Sequence, residues 1–427
     1  MTPPRGYHNR SKSALLKLRW NDERESSMTT AAVDERVLAA SRAHIESLGD
    51  AAEDAFYTID LQHVANQYRR MVTKLPRVLP FYTVKCHPDT RVLSLLAKLG
   101  AGVDCASQSE VELSLNHGVP PERIIFANTM KQCSHLRFVR EHNVPLTVFD
   151  STDELVKIKR EFPEAKLVLR LQVDDSKARH QFGPKFGTPM ANVPTLLETA
   201  KQLELNVVGV CFHVGVGVLE ASAFVDAIVR AKQAFTMGLN AGYKFTLLNL
   251  GGGFAGDDLG PVKFEDAAHA INKVLDELLP KDSGVNIISE PGRYFVSACA
   301  TLTVNVIGRK LDPELTARAH SADESSPVLS RYMYIVNDGR HGSFSTPHLC
   351  VVSAPVVLKT AHADESKSVP CSVWGPTMDG KDVITRETSL PVLEVGDWIT
   401  FPRMGAYSFA TGSTFNGFAL PTRIYIE

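Results

Sequence analysis

The sequence predicts an α/β domain followed by a β-rich one, on three observations. From about residue 55 to 290, short apolar strand-sized segments alternate with longer helical patterns. Polar or glycine-rich residues stand directly after many of those strand segments. Beyond Ala300 good helical patterns become few while strand patterns continue. The alternation favours parallel packing, and polar residues at strand C-termini suit the functional face of a (β/α)8 barrel. Periodicity alone does not separate that barrel from an open doubly wound sheet.

The elements are expected in the following order. Residues 1–44 read as a loose N-terminal arm, with several basic residues in the first 20 but no continuous apolar run of a secretion signal. A short strand at 55–58 and a helix at 63–72 come next. Strands are then expected at 79–84, 102–104, 124–127, 146–149, 166–171, 207–212, 246–250 and 285–288. Helices are expected at 90–99, 108–117, 152–162, 193–203, 221–237 and 264–279. In the β-rich region the strands are 302–307, 331–336, 354–358, 368–374 and 397–401, with surface excursions at 313–327 and 361–367. The expected domains are 45–299 and 300–427, and a strand lying ahead of the first can join the sheet of the second.

Composition narrows the function. A chain of 427 residues buries a substantial core and exceeds one small domain. Its 44% apolar and 22% charged residues, with a formal net charge of -2, give no electrostatic case for nucleic acid or an anionic membrane. No stretch approaches the roughly 20 apolar residues of a membrane span, so a cytoplasmic protein is expected. Seven cysteines, an odd and scattered set, fit reduced thiols. Cys86, Cys105, Cys133, Cys211 and Cys299 are read as small buried or half-buried side chains, and no metal site is expected among the histidines.

Candidate chemistry lies at the strand ends. Lys85 follows the apolar strand 81–84, where a lysine can form an imine with an aldehyde cofactor. Asp104 ends the next strand. Gly251-Gly252-Gly253-Phe254 suits close backbone approach to a phosphate. Glu290-Pro291-Gly292-Arg293 offers a carboxylate to a protonated pyridine nitrogen and a glycine and arginine to a phosphate. His213 could lie against a ring, and the Tyr407 hydroxyl could donate to phosphate. Each has an ordinary structural reading on its own: solvated lysine, helix cap, turn glycines, packed histidine or tyrosine.

Taken together these motifs are specific. Pro80-Phe81-Tyr82-Thr83-Val84-Lys85-Cys86, Asp104-Cys105-Ala106-Ser107, the His213 segment, Gly251-Gly252-Gly253-Phe254, Glu290-Pro291-Gly292-Arg293, Val336-Asn337-Asp338-Gly339 and Trp374-Gly375-Pro376-Thr377 resemble the eukaryotic ornithine decarboxylase family over roughly residues 45–427. The resemblance implies a barrel that binds pyridoxal 5'-phosphate (PLP), a C-terminal β-domain and a head-to-tail homodimer with shared active sites. It implies Lys85 as the Schiff-base lysine, Glu290 as partner of the pyridine nitrogen and His213 as the residue stacked on the ring. Gly253, Gly292, Arg293 and Tyr407 become phosphate contacts, and Asp104, Arg170 and Gly252 complete the cofactor shell. Lys185 is expected to pair with Asp382 of the other subunit.

The departures from the family pattern concern the substrate. Val216 replaces a phosphate-binding serine, a loss of about 1 kcal/mol if uncompensated. Met378 replaces a cysteine that directs reprotonation, and a thioether has no proton to give; water, Lys85 or His341 must substitute. Asp379 keeps one carboxylate for the distal ammonium of the substrate, whereas Cys350 replaces the other. His341, beside Arg340, replaces a tyrosine. Removing a partner from a buried ammonium costs several kcal/mol, so the sequence favours an ornithine-like amino acid that is extended or modified, as in loline alkaloid biosynthesis. Three alternatives stand beside it: ornithine or lysine decarboxylation for polyamine synthesis, decarboxylative transamination or oxidative deamination, and a non-catalytic regulator like antizyme inhibitors.

Overall fold

The computed structural model describes residues 33–49, 53–256, 260–311, 332–345, 353–359 and 368–427. Cys350, most of the expected arm and the excursions at 313–327 and 361–367 lie outside the described residues.

Eight parallel strands close into a barrel. In chain order the first eleven strands are β1 (Phe56–Asp60), β2 (Val78–Thr83), β3 (Gly102–Cys105), β4 (Ile124–Phe126), β5 (Leu146–Phe149), β6 (Lys166–Arg170), β7 (Ala178–His180), β8 (Asn206–Cys211), β9 (Val216–Val218), β10 (Leu247–Asn249) and β11 (Asn286–Ser289). The closed order is β2-β3-β4-β5-β6-β8-β10-β11, returning to β2 through Ile287 opposite Val78. Closure settles the question that periodicity left open. The barrel's wall is apolar on both sides because helices cover its outside while side chains fill its inside. Phe81, Ile125, Val148, Val168, Cys211, Leu247 and Ile288, each from a different strand, pack together as one such inner layer.

The second domain is a sheet of strands β12 (Ala300–Leu311), β13 (Tyr332–Val336), β14 (Val356–Lys359), β15 (Ser368–Trp374), β16 (Val383–Pro391), β17 (Trp398–Phe401) and β18 (Thr422–Ile426). Its order is β14-β17-β12-β13-β15-β16, and β1 joins it between β12 and β18. The chain therefore starts one sheet, builds the barrel, and returns to complete the sheet.

The helix α1 (Glu35–Leu48) runs through the expected arm boundary at residue 44. Asp34 caps it by accepting from the Arg36 backbone N–H. It buries Leu38 and Ile45 with Phe56, Leu358 and Trp398, about 1.5–3 kcal/mol for each fully buried aliphatic side chain. That packing orders a segment whose own pattern is unremarkable. Within the barrel wall, Lys131 and Glu154 form an ion pair at 2.8 Å with side chains 0% and 1% exposed. Lys131 Nζ also donates to the carbonyls of Asn128 and Val148, tying the ends of β4 and β5 together. No helix among the described residues is long and apolar enough to cross a membrane.

Candidate active site

In a strand, side chains two residues apart share a face. Stepping two residues beyond the inner layer, and starting from Gly102 in β3, reaches Thr83, Asp104, Ala127, Asp150, Arg170, His213, Asn249 and Glu290. One residue per strand thus forms a ring at the C-terminal mouth of the barrel, and most of the ring is polar. Register agrees: Phe81 lies opposite Gly102 and Thr83 opposite Asp104.

Lys85 stands just above this ring, in the turn Val84–Cys86 after β2. Its Nζ lies 2.7 Å from Asp104 Oδ2. The Lys85 side chain keeps 44% of its area accessible, whereas Asp104 is sealed at 2%. Removal from bulk water pulls the ammonium's pKa down, but Asp104, Tyr407 and Glu290 outweigh it and leave the lysine above its ordinary value. Asp104 Oδ1 is buried without a hydrogen-bond partner among the described residues, an acceptor facing the site.

Glu290 follows β11. Asn249 donates to its Oε1 at 2.6 Å, and its backbone N–H donates to the Gly251 carbonyl at 2.7 Å. Burial, then the charge of Asp104, pushes its carboxyl up to about 7 against the pull of Lys85, Asn249 and Arg170. His213 Nδ1 accepts from the Gly215 N–H at 3.2 Å, so the ring proton sits on Nε2. Burial and the nearby Arg170 and Lys85 cations hold His213 well below the usual histidine range, hence neutral. Phe182 meets it edge-on at 4.6 Å, and Arg170 lies over Phe186 at 4.6 Å.

The glycines behave as close-approach positions. A Cβ at Gly252 would stand 2.8 Å from both the Glu290 carbonyl and His213 Nε2, and Gly253 has φ +100°. Gly292 lies against Cys86 and Thr83. Arg293 starts the short helix Arg293–Val296, with its guanidinium 5.4 Å from the Tyr407 ring centre. Tyr407 holds φ +55°, a strained conformation worth roughly 1–2 kcal/mol in a non-glycine residue. These groups fit PLP: an amine for its aldehyde, a buried carboxylate for its ring nitrogen, a flat neutral imidazole for its face, and an arginine, a tyrosine and bare backbone for its phosphate. Val216, in β9 opposite His180 of β7, contributes no hydroxyl.

The substrate-side residues form a second cluster, on the β-domain. His341 Nε2 and Asp379 Oδ2 are 2.8 Å apart, each about one-third exposed. The His341 ring packs tilted against Phe415 with centres 4.4 Å apart, and its carbonyl accepts from the Ser413 N–H and hydroxyl. The bond to His341 and the Lys381 N–H hold the Asp379 carboxyl below its ordinary range. Met378 projects with 90% exposure, and Arg340 is exposed. Asp382 is held within the chain. It is 1% exposed and accepts from the Arg340 N–H, the Thr377 N–H and the Thr377 hydroxyl. It braces the two loops that carry His341 and Asp379. Lys185 itself is exposed, over the Phe186 ring.

Asn249, Asp150 and Thr83 escaped the sequence reading. Asn249 orients Glu290, Asp150 accepts from the Gly187 N–H at 2.8 Å, and Thr83 donates to the Glu290 carbonyl. The step of two from the last inward apolar residue was the signal that could have found them.

Comparison with known proteins agrees with this construction. Residues 61–297 match the pyridoxal-dependent decarboxylases over their pyridoxal binding domain. The chain belongs to that family. It is 44% identical over 374 residues to the ornithine decarboxylase of Rattus norvegicus, covering 88% of this chain and 81% of the relative. It is equally 44% identical over 370 residues to antizyme inhibitor 2 of Xenopus laevis, covering 86% and 79%. Among solved structures, the arginine decarboxylase of Paramecium bursaria Chlorella virus is similar with TM-score 0.82 and 34% identity, over 91% of this chain and 100% of that one. The lysine/ornithine decarboxylase of Vibrio vulnificus, complexed with putrescine, gives TM-score 0.79 and 28% identity, over 93% and 99%. This decarboxylase is a PLP-dependent carboxy-lyase of the ornithine, lysine and arginine group. The relatives back the ornithine or lysine alternative over the loline-type substrate expected from the sequence.

Proposed function

We propose that the enzyme removes the α-carboxylate of a basic amino acid of the ornithine–lysine class and releases the diamine. The observation that carries this reading is the convergence of Lys85, Asp104, His213, Glu290, Arg293 and Tyr407 at one barrel mouth. Bound there, PLP supplies the electron sink for the pair left behind when carbon dioxide departs. Lys85 would hold the cofactor through its aldehyde, and Asp104, 2.7 Å from Lys85 Nζ, would keep that amine protonated when it is free. Glu290 stabilises positive charge at the ring nitrogen. His213 excludes water from one face without adding charge. Met378 has no proton for the α-carbon, so Lys85 ammonium or His341 delivers it.

A second reading, an amino acid larger than ornithine, is favoured by the His341–Asp379 pair. An aspartate already satisfied by an imidazole attracts a plain side-chain ammonium less strongly. A substrate panel with carbon dioxide release and product masses separates the two. We expect decarboxylation of ornithine or lysine to an amine as the highest kcat/KM. Faster turnover of every extended analogue would sink the simple reading, and an aldehyde product would replace decarboxylation to an amine by decarboxylative transamination.

We further propose a homodimer in which the cluster around Asp379 serves the barrel mouth of the other subunit. Its support is the 90% exposure of Met378 and the partial exposure of His341 and Asp379 in a single chain. Mixing Lys85→Ala with Asp379→Ala protomers should restore up to about a quarter of wild-type activity, because random exchange builds one intact site in half of the dimers. No restoration, despite subunit exchange demonstrated by mass, would count against shared sites.

A further inference from the structure

We propose that His87 is a positioning residue that sets the phosphate-binding Tyr407 against the cofactor lysine. The proposal rests on the reading of Tyr407 as a phosphate contact.

The turn carrying Lys85 grips the β-domain at two points. The Cys86 carbonyl accepts from the Tyr407 N–H at 2.9 Å, and His87 Nδ1 lies 2.6 Å from the Gly405 carbonyl. Two consecutive residues beside Lys85 thus hold both ends of the tripeptide Gly405-Ala406-Tyr407. The tripeptide has little freedom elsewhere. The Gly405 N–H donates to the Ser297 carbonyl at 3.2 Å, and a Cβ at Gly405 would run into the Val296 carbonyl oxygen. Tyr407 then takes a left-handed conformation that an L-residue keeps only when its surroundings enforce it.

The tautomer follows from chemistry. A carbonyl only accepts, so His87 Nδ1 carries the proton and Nε2 is a bare acceptor. That Nε2 is buried with no hydrogen-bond partner among the described residues. His87 is 0% exposed, packed edge-on to Phe409 at 4.6 Å, with its own carbonyl accepting from the Tyr82 hydroxyl at 2.7 Å. The charged groups nearest its ring are Asp89 and Arg423. An orphaned buried acceptor is unfavourable, and an apolar side chain of the same volume would avoid it. The donor at Nδ1 is the feature that an apolar residue could not supply. Asp89, two residues on, also accepts from Arg423 and Tyr425 of the β-domain, so this short turn is a hub between the domains.

The test titrates full-length protein, freed of cofactor, with PLP and separately with pyridoxal, which lacks the phosphate. Binding is read from absorbance of the cofactor attached to Lys85. His87→Ala should weaken PLP at least tenfold and pyridoxal no more than twofold. His87→Asn, whose amide keeps a donor at similar reach, should stay within threefold of wild type. The double variant His87→Ala/Tyr407→Phe should bind PLP no more than threefold worse than the weaker single variant. Should His87→Ala fail to fold, His87→Leu keeps volume without a donor and carries the same expectation. Equal losses for PLP and pyridoxal, or losses that multiply in the double variant, would overturn the coupling while leaving Tyr407 as a phosphate contact. If Tyr407→Phe leaves PLP binding unchanged, the phosphate reading fails and the proposal falls with it.

Discussion

Replacing Lys85 by alanine should lower turnover by at least about 10⁴-fold, the upper end of what one group handling protons contributes, with its nucleophilic role added. Two losses combine: the amine that holds the cofactor, and the ammonium that Asp104 keeps at 2.7 Å. The fold should survive. The Lys85 side chain is 44% accessible, so its removal opens no core cavity. The stability change is a balance between an abandoned Asp104 and solvent reaching it from the accessible side of Lys85. Breaking a buried pair costs about 3–5 kcal/mol, but water reaching the lysine's side discounts that to roughly 1–2 kcal/mol. Borohydride reduction followed by peptide mass mapping checks the attachment, and thermal melting checks the fold. A reduced PLP adduct on another lysine, or turnover within tenfold of wild type, would reject the assignment.

The barrel strands were legible because each is a short apolar run ending in a residue of different chemistry, and Lys85, Asp104, His213 and Glu290 all sit at such ends. Closure of the barrel was not legible. It depends on Ile287 meeting Val78 across more than two hundred residues, which local periodicity cannot encode. Helix α1 escaped because its order comes from packing on Phe56 and Trp398. The helix Cys133–Glu141 buries only Leu136 and Val139 and has no side-chain cap, so it offered little pattern. In β16, charged and polar residues face outward along most of the strand, and β18 carries a similar mixture. The short ladder of β7 with β9 spans two residue pairs, too few for an alternation to emerge. The three bonds that the Asp382 carboxylate accepts within the chain were not legible, because they depend on loops that only the tertiary fold brings together. Residue type alone cannot reveal that enclosure.

Glu290→Gln should cut turnover by about 10²–10³-fold, the scale for removing one positioned electrostatic group, and should leave the cofactor attached to Lys85. The same change should stabilise the cofactor-free protein, but only at high pH. Burial first and the Asp104 charge second raise Glu290 from an ordinary 4.5 to about 7. Between those values the folded protein keeps a proton that the unfolded chain has released. Unfolding free energy therefore falls as pH rises through that window, and the favourable contribution is fully present only below about 4.5. The difference amounts to about 3 kcal/mol at most. A glutamine retains the hydrogen-bonding shape toward Asn249 without carrying a charge. Cofactor-free Glu290→Gln should melt higher than wild type at pH 8, with the gap closing by pH 5. Other groups titrating in the window cancel in this comparison, since both proteins contain them. With cofactor bound, a cationic ring nitrogen at Glu290 would pull its carboxyl back down, so the ionised form would act there. A melting difference independent of pH, joined to turnover within a few-fold of wild type, would remove Glu290 from this role.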